Sequence, residues 1–252
     1  MLYIGNERRY RPPFPSPLTF RQFPRMPNVN VPRAVVFDLD GLMFNTEELY
    51  QQVGAELLRR RGCQWSQELL DAMMGRPGQV SLQIMIDWHK LDATVDQLAA
   101  ESDQIFDGLL EHRLAPMPGL MALLDALESA SRPKAIATSS GRDFADRVLS
   151  QFDLRGRFQF ILTAEDVVQG KPHPEIYLKA AEQLSLEPGE ILVLEDSENG
   201  HRAAVAAGTI AVAVPGSHSR RHDFTGSRLV AEDLKDPRLF ELLRLDRRAG
   251  KR

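Results

Sequence analysis

The 252 residues contain one cysteine, Cys63. No intrachain disulfide can form and no cysteine cluster can hold zinc, so disulfide-framework and zinc-ribbon architectures are excluded together. The chain also lacks any run approaching the ~18 to 20 continuous apolar residues of a membrane helix, and its first residues lack the basic-then-apolar order of a secretory signal. A cytoplasmic protein with no membrane partner is expected. Aromatic residues are sparse at 7%, but 43% hydrophobic and 26% charged residues make an ordinary globular balance, with enough chain for one substantial core and a smaller second one.

Excess positive charge is missing as well. The formal net charge is −4; residues 1–32 hold five Arg against Glu7, and residues 244–252 hold five basic residues against Asp246. Each end thus carries +4 and the body, 33–243, stands near −12. Such a body does not suit a nucleic-acid clamp, which neutralises phosphates with clustered Lys and Arg, so no nucleic-acid partner is expected. The basic tails read as solvated ends. Seven of the 16 prolines fall in residues 1–32, where each removes an amide donor, so a disordered extension is predicted there. Met26 precedes the first ordered signal, and residues 1–25 read as a dispensable upstream extension.

From Arg33 the pattern changes. Short apolar runs at Ala34–Phe37, Ala135–Ala137, Phe160–Leu162, Ile191–Leu194 and Ile210–Val214 have the form of strands buried on both faces of a parallel sheet. Helical stretches at 119–130, 143–151, 174–184 and 198–207 separate them, the last closed by Gly208. Strand alternating with helix predicts an α/β fold, a doubly wound parallel sheet. About a hundred residues separate the first two strands, far more than a crossover requires. Within them Leu49, Val53, Leu57, Leu69, Met73, Leu82, Met85, Ile86, Ile105, Leu109 and Leu110 recur at helical spacing, which predicts an inserted all-helical cap. The expected division is a core of 33–45 and 117–235, a cap of 46–116, and a C-terminal helix with a basic tail over 236–252.

Asp38 and Asp40 follow the first strand at positions i and i+2, which in an extended segment points both side chains the same way, roughly 6 to 7 Å apart. They face the carboxyl end of the sheet, where open α/β folds bind ligands. Glu195 and Asp196 end a later strand and should reach the same edge. A lone Asp after a strand is often a helix N-cap, but four acids at two strand ends exceed that need. Converging carboxylates repel, and a bound hard cation keeps them ionised. With only oxygen donors in prospect, Mg²⁺ suits the set and zinc does not. Lys171 and Thr138, beside Ser139-Ser140, add a fixed cation and a hydroxyl, which suit a phosphoryl group.

Taken together, Phe37-Asp38-Leu39-Asp40-Gly41, Ala137-Thr138-Ser139-Ser140, Gly170-Lys171-Pro172-His173-Pro174 and Leu194-Glu195-Asp196-Ser197-Glu198-Asn199-Gly200 resemble the four motifs of the haloacid dehalogenase-like hydrolase superfamily, in its helical-cap phosphatase and phosphomutase branch. The resemblance covers about 33–215. It implies that Asp38 is a nucleophile forming an aspartyl-phosphate, and that Asp40 protonates the leaving alkoxide and then deprotonates the attacking water. It further implies Mg²⁺ held by the Asp38 carboxylate, the Asp40 carbonyl and Asp196, with Glu195 direct or through water. Thr138, Ser139 and Lys171 would receive the phosphoryl group. Dehalogenases of the superfamily work without an acid two residues after the nucleophile, so Asp40 favours a small-molecule phosphate ester.

The cap departs from the β-phosphoglucomutase pattern, which has a histidine twelve residues after the nucleophile where this chain has Tyr50. That pattern's cap-loop arginine falls on Gly78, with Arg76 two residues earlier, and Asn45 replaces the usual acid before Thr46. Hydrolysis of a sugar, nucleoside or glycolate-type phosphate is therefore the first reading, with Arg76 and Gln79 as candidate substrate contacts. A sugar-phosphate mutase, or a non-catalytic phosphate-binding protein of the same fold, are the alternatives. A monomer is expected, a dimer allowed. His173 lies in a turn between two prolines, and His201 reads as a surface or capping residue. His89, His112, His218 and His222 have no metal spacing. Trp65, Trp88, Met73, Met74 and Met85 are expected in the cap core, Ser197 beside the carboxylates as a support, and Ser139 without a triad.

Overall fold

A computed structural model describes residues 31–73, 76 and 78–246. The expectations for the extension before Val31, for Met74 and for the tail after Asp246 lie outside the described residues. The chain enters through β1 (Ala34–Phe37) and runs through α1 (Thr46–Arg59), α2 (Gln67–Met73), α3 (Gly78–His89), α4 (Val95–Arg113) and α5 (Leu120–Ser129) to β2 (Lys134–Ala137). It continues as α6 (Arg142–Ser150), β3 (Ile161–Leu162), α7 (Glu175–Leu184), β4 (Ile191–Glu195), α8 (Glu198–Ala206), β5 (Ile210–Ala213), β6 (Leu229–Val230) and α9 (Pro237–Leu243). The sheet order is β3-β2-β1-β4-β5-β6, parallel at every step. This is the doubly wound α/β fold with a helical insertion after the first strand.

The central strands read as unbroken apolar runs because helices cover both faces, and side chains alternate between them. Val35 and Phe37 of β1, with Ile136, Leu192, Leu194 and Val212, meet Leu123 and Leu127 of α5, Val148 of α6 and Leu239 of α9. Ala34 and Val36, with Ala137, Val193 and Ala211, meet Ile176 and Ala180 of α7 and Ala203 and Ala204 of α8. The second face is rich in alanine, so α7 and α8 approach the sheet closely. β6 has only two residues, neither fully buried, too short a run to show a period in the sequence.

The inserted helices carry their own apolar cluster of Val53, Leu57, Leu58, Leu69, Met85 and Leu98, with Trp65 and Met73 packed against it. Trp88 departs from expectation: it stands 49% exposed on α3, in the last turn of a helix that buries only Met85. α4 starts in a capping box in which Thr94 Oγ1 accepts from the Gln97 amide and Gln97 Oε1 accepts from the Thr94 amide. A Cβ added at Gly54 of α1 would overlap the Trp65 ring, so Gly54→Ala is expected to destabilise the protein by about 1–3 kcal/mol through overpacking. Thermal unfolding followed by circular dichroism checks this, and an unchanged midpoint would show that the ring moves aside freely.

The two connections between insertion and sheet are joined to each other. The Asn45 amide donates to Ala115 O at 3.1 Å and the Met117 amide to Met43 O at 2.8 Å. The Asn45 side chain accepts from the Ala115 amide at 2.8 Å and donates to Arg113 O at 3.3 Å. Asn45, where the resembling family carries an acid, thus ties the two crossings by a side chain that can both donate and accept.

Candidate active site

In this strand order the connections leave β1 toward β2 and later return to β4 on its other side, so the crevice at the carboxyl ends of β1 and β4 is the topological switch point. Asp38 follows β1, with its amide donating to Leu194 O of β4 at 3.0 Å. Glu195 closes β4 and Asp196 follows it. Carboxylate oxygens of Asp38, Glu195 and Asp196 all lie within 4.8 Å of one another, and all three residues are buried. Register makes this meeting: Phe37 pairs with Leu194, so the residues after both strands emerge side by side.

Lys171 stands in the middle. Its Nζ donates to Asp38 Oδ1 at 2.5 Å, Glu195 Oε1 at 2.7 Å and Ala137 O at 3.0 Å, and it lies 5.1 Å from the centre of the Tyr177 ring. An ammonium has three donors, and all three are committed within the protein. Burial works against the cation, but Asp38 and Glu195 overcome it and hold the Lys171 pKa well above the usual lysine range. Burial is also the largest influence on Asp38 and pushes its carboxyl well up; Lys171 opposes the rise, while Glu195, Asp196 and Asp40 add to it.

Glu195 is engaged at both oxygens. The Tyr177 hydroxyl donates to Oε1 beside Lys171, and the Ser197 hydroxyl donates to Oε2 at 3.1 Å, as the expected supporting role for Ser197 requires. Ser197 also accepts from the Gly200 amide at the start of α8. Gly200 has no side chain because the Glu195 carboxylate fills the space a Cβ would take. Gly41 is constrained twice: its φ is +70°, and a Cβ would fall on Asp196 Oδ2.

Asp40 is held by the other loop. Ser140 Oγ donates to Asp40 Oδ2 at 2.5 Å, while Asp40 Oδ1 is buried with no partner. Burial raises the Asp40 pKa, against the lowering effect of the hydrogen bonds from Ser140 and Thr46. Thr138 is 1% exposed and its Oγ1 accepts from the Ser140 amide at 3.0 Å. Thr138, Ser139, Gly170 and Lys171 border one cavity of about 170 Å³, so the structure brings Ser139 to the same place. It is Ser140, however, and not Ser139, whose hydroxyl reaches the carboxylates.

Arg76 and Gln79 are exposed between α2 and α3 and at the start of α3; among the described residues they make no contact with the carboxylate cluster. His173 Nδ1 accepts from the Glu175 amide at 3.3 Å at the start of α7. His201 is not on the surface: it is fully buried, with Nε2 2.6 Å from Ser227 Oγ, because the loop carrying Phe224 folds over the first turn of α8. His218, without metal spacing in the sequence, comes to 3.0 Å from Asp196 Oδ2 through Nε2. Burial lowers the His218 pKa, but Asp196, Glu47 and Glu48 outweigh it and raise it. Tyr177, His218, Ser140 and Thr46 are the site residues that sequence reasoning missed. Ser140 stood in the Ala137-Thr138-Ser139-Ser140 motif without a role of its own, and Tyr177 lies six residues after Lys171 on the buried stripe of α7. His218 sits in an irregular loop with no period.

Residues 35–214 match the model of a family described as haloacid dehalogenase-like hydrolase. Over 182 residues the chain is 30% identical to a fructose-1-phosphate phosphatase of Escherichia coli, covering 71% of this chain and 95% of that protein. It is 30% identical over 206 residues, 81% of this chain, to a bifunctional riboflavin kinase/FMN phosphatase of Arabidopsis thaliana, of which it spans about half the length (54%). Among solved structures, CbbY from Rhodobacter sphaeroides in complex with phosphate superposes with a TM-score of 0.65 at 26% identity, over 80% of this chain and 94% of that one.

Proposed function

Within the haloacid dehalogenase-like hydrolase family, to which this chain belongs, we propose that it is a Mg²⁺-dependent phosphatase of a small phosphorylated metabolite, working through an aspartyl-phosphate on Asp38. It is a phosphoric monoester hydrolase; the substrate, the ion and the residue roles are our reading. The observation that carries it is Asp38 buried in contact with Lys171 at the switch point, beside the Asp40 oxygen that has no partner. Relatives named as phosphatases of fructose 1-phosphate and FMN support a small phosphate ester.

The donor set fits a hard cation, because it is all oxygen and brings three buried carboxylates together, two of them sharing Lys171 and the third beside His218. Asp38, Asp196 and the Asp40 carbonyl would hold Mg²⁺, with Glu195 behind them. When bound, the ion keeps the carboxylates ionised and draws charge from a phosphoryl oxygen. Lys171 holds Asp38 Oδ1, which leaves Oδ2 to attack phosphorus in line. As the O–P bond forms, the ester bond breaks and Asp40 passes its proton to the leaving oxygen. Asp40 then takes a proton from the water that attacks the aspartyl-phosphate, and phosphate leaves with Asp38 restored. Thr138, Ser139 and nearby amides receive the phosphoryl oxygens. Residues 46–116 act as a separable cap that closes over the site about the joined crossings at 44–47 and 115–119.

Phosphate release from a panel of phosphorylated metabolites, with Mg²⁺ and with EDTA, tests the proposal. Release that depends on Mg²⁺ is expected, and a folded protein inert on the whole panel would overturn it. A stability measurement tests the ion separately. Burial raises the Asp196 pKa to about 6, above the usual Asp value of ~3.9 in an unfolded chain. Without metal, the contribution of Asp196 to stability is present below the unfolded value and lost as pH rises through about 6. A cation that binds the ionised carboxylate reverses this loss, so the Mg²⁺-induced rise in Tm is expected to be larger at pH 7.5 than at pH 5. An equal rise at both pH values would place the ion elsewhere.

A further inference from the structure

Tyr50 is 48% exposed, although it stands beside the site. Thr46, Glu47 and Tyr50 share a face of α1 at the i, i+1, i+4 spacing. The Thr46 hydroxyl accepts from the Gly41 amide at 3.0 Å, and Glu47 Cγ lies 3.1 Å from where a Cβ on Gly41 would stand. The face bearing Tyr50 therefore looks onto the segment Asp38–Gly41 from one turn further along the helix. One side of the Tyr50 ring is stacked on Phe106 of α4, with centroids 4.4 Å apart and planes 10° from parallel. Phe106 is in turn stacked 6.0 Å from Phe144, in the first turn of α6. The ring is thus braced from behind by helices of both the insertion and the sheet layer, while about half of the residue stays exposed. Burial, with Asp40, Glu47 and Asp103, holds the hydroxyl above its ordinary pKa, so it remains a donor among carboxylates. On the surrounding elements Arg147 pairs with Asp107 of α4 and His218 with Asp196.

We propose that Tyr50 is a specificity-determining residue that stacks on the leaving group, so that the site selects monophosphate esters with an uncharged ring as leaving group and rejects those with a second phosphate or a carboxylate. The inference rests on the phosphatase reading above and narrows its substrate class. An uncharged ring gains contact with a braced aromatic face, whereas a second anion meets Glu47, Asp103 and Asp40.

The test compares kcat/KM for glucose 6-phosphate, p-nitrophenyl phosphate, acetyl phosphate, 2-phosphoglycolate and fructose 1,6-bisphosphate in the wild type, Tyr50→Ala and Tyr50→Phe. The wild type is expected to favour the two ring monophosphates over 2-phosphoglycolate and the bisphosphate by about tenfold or more. In Tyr50→Ala the ratio of glucose 6-phosphate to acetyl phosphate is expected to fall about tenfold, mostly through KM, the scale of one lost ring stack. Tyr50→Phe keeps the stack and should keep the ratio within about threefold, which separates stacking from misfolding. The proposal is overturned if 2-phosphoglycolate or the bisphosphate is the best substrate, or if the Tyr50→Ala ratio is unchanged, with the phosphatase reading intact in both cases. A wild type inert on all five phosphorylated compounds takes down that reading and this one with it.

Discussion

Asp38→Asn is expected to abolish phosphate release, by roughly 10³-fold or more, while leaving the protein folded. Asparagine has the same shape but no nucleophilic carboxylate, so no aspartyl-phosphate can form. The fold should tolerate the change because Asp38 is pushed up by burial and by Glu195, Asp196 and Asp40 together, and an amide removes one member of that repelling group. Lys171 keeps Glu195 and the Ala137 carbonyl. Activity and a thermal melt on the same preparation check both halves. Substantial turnover in a folded Asp38→Asn protein would refute the nucleophile assignment. Asp40→Asn should behave differently: with a good leaving group such as p-nitrophenolate the first transfer needs no proton, so a burst of phenolate followed by slow release is expected.

The second large effect is at Lys171. Lys171→Met keeps an unbranched chain but removes the ammonium, which leaves Asp38 and Glu195 facing each other without their cation. Breaking a buried pair in this way costs about 3–5 kcal/mol, and denaturant unfolding at pH 7 should show a loss of that size together with loss of turnover. Because unpaired buried carboxylates favour the protonated form, the loss should shrink as pH falls toward 5. Adding Glu195→Gln removes one unpaired charge and is expected to recover part of the stability with none of the activity. Lys171→Arg is not expected to rescue either property, since a planar guanidinium does not fit a site closed by the Tyr177 ring and three acceptors. Full stability of Lys171→Met at pH 7 would mean that the ion pair contributes little to the fold.

Much of the fold is legible in the sequence because the sheet is buried on both faces. Ala34–Phe37 and Ile191–Leu194 must be apolar at every position, so each appears as an unbroken run, and β6 is lost because two half-exposed residues show no run. The long interval between β1 and β2 could hold only an insertion. Within it, helical spacing located Leu57, Leu69 and Met85 in one cluster but could not tell that Trp88 remains at the surface. Side-chain burial depends on which neighbouring helix covers a position, and no period in one helix records that.

The acids of the site were legible for a similar reason. Asp38, Asp40, Glu195 and Asp196 are tied to strand ends, and the position of a strand end follows from the apolar run before it. The chain order by itself therefore determined a doubly wound α/β sheet, a helical insertion and a carboxylate-rich edge with a lysine assigned to it. Only the folded chain decided that Lys171 spends all its donors between Asp38, Glu195 and the Ala137 carbonyl, that Tyr177 engages Glu195 from behind, that Ser140 holds Asp40, and that His218 arrives at Asp196. These partners come from helices and loops that meet through packing and strand register, over separations at which local spacing carries no information.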